Sequence, residues 1–203
     1  MKRYQAAIKS SVDYVAASLG VLVLSPLMFF IALAIKLESR GPAVLKQQRL
    51  GKDGHLFRLY KFRTMYSDSP VSLNPDGSTF VSDRDPRVTK VGRLLRGGLD
   101  ELPQLLNILK GQMSLVGPRP DLPSHLERYT AREKKKLSVK PGITNLPAVS
   151  GRNDIPWRSR IAMDIHYIEH YSLWLDLTII ALTLALPLRR AKETAISLGN
   201  AGT

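Results

Sequence analysis

Two adjacent carboxylates, Asp100 and Glu101, open the apolar stretch Leu-Pro-Gln-Leu-Leu-Asn-Ile-Leu at 102–109, and a stiff turn, Gly117-Pro118-Arg119-Pro120, follows it. At a helix start the free backbone N–H groups and the positive end of the dipole favour negative charge and attract phosphate oxygens. An aspartate held there can serve as a nucleophile. The plain alternative is that Asp100 only caps the helix and Glu101 is an ordinary first-turn acid. The turn shifts the balance, because prolines on both sides of Arg119 fix the backbone of a residue whose fork of donors matches a phosphate. The chemistry to look for is therefore phosphoryl chemistry, with the acids as nucleophile, base or metal ligand.

The elements that must hold these groups are partly legible. Pro103 is tolerated in a first helical turn but not deeper, so a helix should start near Asp100. Leu102, Leu105, Leu106 and Leu109 then form one buried stripe, and Gly111 ends the helix. Upstream, Val44 to Met65 reads as a β-hairpin with Asp53-Gly54 at its tight turn. Lys61 and Arg63 alternate with Phe62 and so project from one side of a strand. They are either a solvated basic edge or a phosphate clamp. Ser67 to Pro86 reads as a surface loop whose Asp68, Asp76, Asp83 and Asp85 lack metal-ligand spacing. Val88 to Leu95 is a short basic helix. Asn145 to Asn153 is a loop presenting Arg152 behind Gly151.

The chain has 203 residues, enough for one domain or a domain with an anchor. Its 30 Lys and Arg against 17 Asp and Glu give a net charge of +13. The partner should be anionic, and charge alone does not choose among nucleic acid, an acidic membrane surface and a phosphorylated substrate. With no cysteine, disulfide and thiolate chemistry are excluded.

Val15 to Ile35 carries no charged residue. As a helix it would reach about 30 Å, one hydrocarbon thickness. A cleaved signal peptide is not expected, because the run is too long and no small-residue cleavage pattern follows. Two features argue against simple spanning. Ser25-Pro26 sits near the middle, where proline removes a backbone hydrogen bond. Both flanks are basic, with Lys2, Arg3 and Lys9 before and Lys36, Arg40, Lys46, Arg49 and Lys52 after. A re-entrant hairpin broken at Ser25 and Pro26 fits, with the Ser25 hydroxyl taking the freed carbonyl. A kinked spanning helix is the alternative.

Ser124 to Leu137 reads as a charged, exposed helix whose Arg132–Lys136 cluster faces solvent or lipid headgroups. Trp157 starts a helix that buries Ile161, Ile165 and Ile168. Its His166-Tyr-Ile-Glu169-His170 matches a zinc-protease pattern formally, but no downstream carboxylate ligand follows, and surface histidines fit better. Leu173 to Leu188 is apolar, contains Asp176 and ends at Pro187. It is too short to cross a bilayer and fits an interfacial helix with Trp174 at the headgroups, or a core helix.

Five blocks in order, Lys-Phe-Arg-Thr-Met at 61–65, Leu-Asp-Glu-Leu-Pro-Gln at 99–104, Met-Ser-Leu-Val-Gly-Pro-Arg-Pro at 113–120, Pro-Gly-Ile-Thr at 141–144 and Gly-Arg-Asn at 151–153, resemble the small monotopic phosphoglycosyl transferases among bacterial sugar transferases. The similarity covers nearly the whole chain. The resemblance implies transfer of a phosphosugar from a UDP-sugar to a polyprenol phosphate such as undecaprenyl phosphate, with release of UMP, as the first membrane step of surface glycan synthesis. It implies that Asp100 forms a covalent phosphosugar intermediate, with Glu101 as its dyad partner and both acids near Mg²⁺. Lys61, Arg63, Arg119 and Arg152 match the cations of the family's blocks and would bind phosphates.

The chain departs from the pattern at Arg96-Gly97-Gly98-Leu99, which is short and lacks a hydroxyl, and at Asn145, Pro147, Ala148 and Ser150. These departures bear on sugar specificity. The expected architecture is α+β and mainly helical: a re-entrant helix-break-helix hairpin over 1–40, then a cytosolic, membrane-apposed catalytic domain over 41–203 with a short β-hairpin and interfacial helices. The expected place is the cytoplasmic face of the bacterial inner membrane, with no nucleic-acid partner and homo-oligomerisation left open. Two rivals are a polytopic-type transferase using direct metal-activated attack, which the single long apolar segment disfavours, and a non-catalytic tether binding anionic lipid or nucleic acid, which leaves the Asp-Glu pair without a role.

Overall fold

A computed structural model describes residues 3–67, 69, 85–151 and 155–200, with side chains as far as residue 186. The Ser67–Pro86 loop, including Asp68, Asp76 and Asp83, lies almost wholly outside the described residues, and so does Arg152. The order is α1 (Arg3–Glu38), β1 (Val44–Leu50), β2 (Leu56–Phe62), α2 (Lys90–Leu95), a 3₁₀ turn (Leu99–Gln104), α3 (Leu105–Leu109), β3 (Ser114–Val116), β4 (Gly142–Thr144), α4 (Leu146–Ser150), α5 (Trp157–Glu169) and α6 (Leu173–Asn200). Helix dominates, as the composition of the segments implied.

Helix α1 is long and apolar enough to cross a membrane, and Leu22, Val23, Phe29 and Phe30 stand exposed along it. It is assigned as one helix through Pro26. Pro26 cannot donate to Leu22, four residues back, and the Ser25 hydroxyl donates to that same carbonyl at 3.0 Å. The anticipated compensation is therefore present without an interruption in the assigned helix. Helix α6 likewise covers Pro187 instead of ending there. One missing hydrogen bond does not stop a helix flanked by good helix formers such as Leu186 and Leu188. Trp174, Leu177 and Leu184 project into solvent.

β1 and β2 pair antiparallel, with Val44 opposite Phe62 and Leu50 opposite Leu56. Asp53 at φ 56° and Gly54 at φ 80° make the turn, as Asp-Gly between alternating residues predicts. Phe57 and Leu59 on one face pack with Ala17 of α1 and with Leu105, Ile108 and Met113. Phe62 packs with Ile31, Ile35 and Leu95. The hairpin is thus wedged between α1 and the segment that begins at Leu99.

The helix expected from Asp100 is shorter and tighter than one continuous stripe requires. Leu99–Gln104 is 3₁₀ and only Leu105–Leu109 is α-helical. Leu105, Asn107 and Ile108 are buried, whereas Leu106 is exposed, because the change of helical pitch rotates the apolar face. Asn107 is buried through hydrogen bonds: it donates to Arg58 O at 2.7 Å and accepts from Tyr60 N at 3.0 Å, pinning α3 to β2. Gly111 at φ 71° closes the segment.

Ser124–Leu137 is not one exposed helix. It comprises two 3₁₀ turns, Pro123–Arg128 and Glu133–Ser138, and Lys136 is only 4% exposed. Arg132, Lys134 and Lys135 are exposed, as a solvated cluster should be, and Lys136 turns inward because two aspartates receive it. Helix α5 buries Ile161, Ile165 and Ile168 as expected. His166 and His170 stack on its surface and Glu169 pairs with Lys135 at 2.7 Å.

Candidate active site

The Asp-Glu pair lies in the 3₁₀ turn between the hairpin and α3. Gly98, at φ 126°, precedes it in a conformation that a side chain would strain. Asp100 is 4% exposed. Its Oδ2 lies 2.6 Å from Lys61 Nζ, which reaches across from β2. Glu101 has a different cation: its Oε1 is 3.8 Å from Arg119 Nη1. Two carboxylates neighbouring in sequence are therefore flanked by two cations from distant segments.

Arg119 is held by its surroundings. The strands β3 and β4 pair in parallel, Ser114 with Gly142 and Val116 with Thr144, and Gly142 N donates to Pro118 O at 3.0 Å. A Cβ on Gly142 would come within 2.1 Å of Gly117 N, so only glycine permits this approach. Behind the turn is a buried ionic network. Lys136 Nζ lies 2.6 Å from Asp121 Oδ2 and 3.1 Å from Asp164 Oδ2, and Tyr129 also donates to Asp121. The Asp164 carboxylate accepts a hydrogen bond from the backbone N–H of Arg119. Burial pushes Asp164 up to about 6, against the pull of Lys136. Burial opposes ionisation of Asp121 too, but Lys136, His125 and Tyr129 together hold it well below the usual carboxylate range. Lys136 serves Asp121 at the shorter distance.

Arg63 does not join the site. It is 1% exposed. Its Nη1 donates to Arg40 O and to Ser67 Oγ, and its Nη2 to Ile35 O at 3.2 Å and Ser39 O at 2.7 Å. The guanidinium closes the C-terminus of α1, whose last carbonyls lack intrahelical partners. Glu38 at the same end accepts from Lys90 N at 2.6 Å and Val91 N at 3.0 Å and so caps α2. Lys61 and Arg63 were expected to share one side of the strand. Pairing ends at Phe62, and the chain beyond it turns towards α1.

Arg49, which sequence reasoning used only as flanking charge, lies on the face that carries Lys61: in the register Leu45 opposes Lys61, Gln47 opposes Leu59 and Arg49 opposes Phe57. Burial and then the neighbouring charge of Arg119 bring Arg49 down to about 10. Alternation along Leu45-Lys46-Gln47-Gln48-Arg49 was the available signal, and the antiparallel register was needed to use it.

Mg²⁺ binds one or two carboxylates together with substrate phosphates and waters, and Asp100 and Glu101 are of that ligand type. Among the described residues no group of three or more His, Asp or Glu comes together.

A family profile described as bacterial sugar transferase matches residues 4–190. The chain is 41% identical over 188 residues to the exopolysaccharide production protein ExoY of Rhizobium meliloti, covering 87% of this chain and 83% of that protein. It is 44% identical over 187 residues to a UDP-glucose:undecaprenyl-phosphate glucose-1-phosphate transferase of Caulobacter vibrioides, covering 87% of this chain and 68% of that protein. It is 40% identical over 201 residues to an undecaprenyl-phosphate galactose phosphotransferase of Salmonella typhimurium, covering 93% of this chain. The chain spans 42% of the length of that last relative.

Proposed function

This chain belongs to the bacterial sugar transferase family, and on that premise we propose that it is a phosphoglycosyl transferase moving a phosphosugar from a UDP-sugar to a polyprenol phosphate, undecaprenyl phosphate, with release of UMP. The observation that carries the reading is the pairing of a buried Asp100 with Lys61 beside Glu101 and Arg119, in a chain whose first helix is long and apolar. That combination provides a nucleophile, charge for phosphate oxygens and an attachment to the membrane that holds the acceptor.

In this reading an Asp100 carboxylate oxygen attacks the β-phosphorus of the UDP-sugar. The new bond is Oδ–P, the bond broken is from that phosphorus to the bridging oxygen, and UMP leaves with the electron pair. A phosphate oxygen of the polyprenol phosphate then attacks the same phosphorus and expels the aspartate. Lys61, already at Asp100, transfers its contact to the non-bridging oxygens as negative charge moves onto them. Arg119 serves the opposite side, and Glu101 accepts the acceptor's proton where the lipid phosphate arrives protonated. Arg152 is the remaining cation assigned to the phosphates. A Mg²⁺ held by Asp100 and Glu101 would supply Lewis-acid neutralisation of the diphosphate. A covalent intermediate lets one site handle a soluble donor and a lipid acceptor in turn.

The position of the site suits this chemistry. Arg63 and Glu38 tie the end of α1 to β2 and α2, so the apolar helix and the Asp-Glu turn are mechanically one unit. We assign α1 a re-entrant course with its deepest point near Pro26, and α6 an interfacial one. Both keep the catalytic domain on the cytoplasmic face at headgroup level.

The test is UMP release by detergent-solubilised full-length protein given Mg²⁺, undecaprenyl phosphate and a panel of UDP-sugars, run beside Asp100→Asn. Release with one sugar, lost in the variant and on chelation, is expected. Folded, membrane-bound protein that releases no UMP from any sugar would overturn the donor assignment and favour the tether.

A further inference from the structure

Asp13 is a buried carboxylate on α1, and its hydrogen bonds go to the strand that leads into the Arg119 turn. It is 6% exposed. Its Oδ2 accepts from Ser114 Oγ at 2.6 Å and its Oδ1 from Leu115 N at 3.1 Å, and among the described residues no cation pairs with it. Successive amides of a strand point to opposite edges. Ser114 N donates to Pro141 O at 2.8 Å on the β4 side, so Leu115 N faces the edge that no other strand covers. A buried carboxylate without a counter-charge is costly unless hydrogen bonds fill its lone pairs, and here α1 takes the place of a missing strand. One helical turn earlier, Lys9 lies on the same face of α1 and reaches Asp176 Oδ2 of α6 at 2.6 Å. Asp176 Oδ1 accepts from Tyr167 OH at 2.6 Å, and that hydroxyl lies 3.4 Å from Val116 O.

Val116 is fully buried and passes directly into Gly117-Pro118-Arg119-Pro120. Pro118 and Pro120 fix φ on either side of Arg119, and Gly117 N donates to Thr144 O and Pro118 O accepts from Gly142 N, at 3.0 Å each. A segment with so little freedom carries a displacement along the chain instead of absorbing it. A shift of β3 across its free edge therefore moves the Arg119 guanidinium relative to Glu101, 3.8 Å away. We infer that Asp13 is a positioning residue for the transfer: by holding the free edge of β3 against α1, it sets where Arg119 meets the substrate phosphates. The inference deepens the proposed reaction and rests on it. It also gives a buried carboxylate on α1 a purpose, since the helix that attaches the chain to the bilayer and the arginine that receives the phosphate are kept in one register.

The test is a double-mutant cycle. For intact protein in detergent, kcat/KM of UMP release from the donor is measured for wild type, Asp13→Ala, Asp13→Asn, Arg119→Met and the combined Asp13→Ala, Arg119→Met variant. Hydrogen exchange of the peptide over residues 113–120 is followed as a readout independent of turnover. Asp13→Ala should cost about tenfold in kcat/KM. In the Arg119→Met background the same substitution should cost less than about twofold, because the residue it acts through is gone. Exchange in the peptide should quicken in Asp13→Ala while exchange in α5 stays as in wild type. Asp13→Asn should retain turnover and slow exchange: its amide oxygen accepts from Leu115 N, and its NH₂ donates to Ser114 Oγ, which turns its own proton to Val116 O at 2.9 Å. Equal losses in both backgrounds, unchanged kcat/KM in folded Asp13→Ala, or an Asp13→Asn as impaired as Asp13→Ala would each overturn the positioning role. If Asp13→Ala does not fold, Ser114→Ala, which leaves the bond from Leu115 N in place, takes its position in the cycle, and failure of both to fold would overturn the role by making the contact structural. Wild-type protein that releases no UMP would remove the reaction and the role together, whereas failure of the role alone leaves wild-type turnover intact.

Discussion

Lys61 Nζ and Asp100 Oδ2 meet at 2.6 Å although they come from a β-strand and a 3₁₀ turn that are far apart in sequence. The pairing is made rigid from both sides. Phe57 and Leu59 of the same strand are locked into the core against α1 and α3, and Asn107 ties the following helix to the backbone of Arg58 and Tyr60. The lysine is therefore held where an incoming phosphate at Asp100 must pass.

Lys61→Met should lower kcat for UMP release by roughly 10²–10³-fold, the usual cost of removing one preorganised charge from a phosphoryl-transfer site, and should also lower the melting temperature, because Asp100 is left buried without its cation. A variant with wild-type kcat would show that the lysine only neutralises Asp100 at rest.

Arg63→Ala should unfold the junction between α1 and the hairpin. Removing a buried guanidinium that satisfies several helix-terminal carbonyls costs about 3–5 kcal/mol, so the variant should melt well below wild type in detergent. Arg63→Lys recovers only part of this, because one ammonium cannot reach Ile35, Ser39 and Arg40 together. If Arg63→Ala instead melts like wild type and loses donor affinity, the arginine binds phosphate and not the helix end.

Asp164 links pH to stability. Its carboxyl titrates at about 6 in the folded protein against about 3.9 unfolded, so the folded state binds the extra proton between those values. Stability from this group is fully present below about 4 and is lost as pH rises through about 6. Relative to Asp164→Asn, which cannot titrate, the wild type should lose on the order of 3 kcal/mol across that window. Denaturant titrations of both proteins at several pH values between 4 and 7 check this. A constant difference would mean that Lys136 keeps Asp164 charged throughout.

The course of α1 can be read with thiol chemistry, because the chain has no native cysteine. Tyr4→Cys and Lys46→Cys lie on exposed positions at either end of the apolar run. With a membrane-impermeant maleimide, a re-entrant helix leaves both cysteines unlabelled in right-side-out vesicles and labels both in inverted ones. A spanning helix labels one in each.

Local chemistry alone was enough for several parts of this protein. The Asp53-Gly54 turn, the burial of Ile161, Ile165 and Ile168, the Asp-Glu pair at a helical start and the Ser25 hydroxyl over the carbonyl freed by Pro26 all depend on residues within one or two turns of each other. The five sequence blocks carried the family, which the match over residues 4–190 bears out. What needed the tertiary structure was the fate of the cations. Lys61, Arg63 and Lys136 look alike as basic residues in basic surroundings, yet one meets the acid dyad, one closes a helix end and one is buried between two aspartates. A positive charge is satisfied equally by a carboxylate, a carbonyl, water or an added phosphate. Which of these it meets is set by partners such as Ile35 and Asp164, which only the packing of distant elements brings within reach.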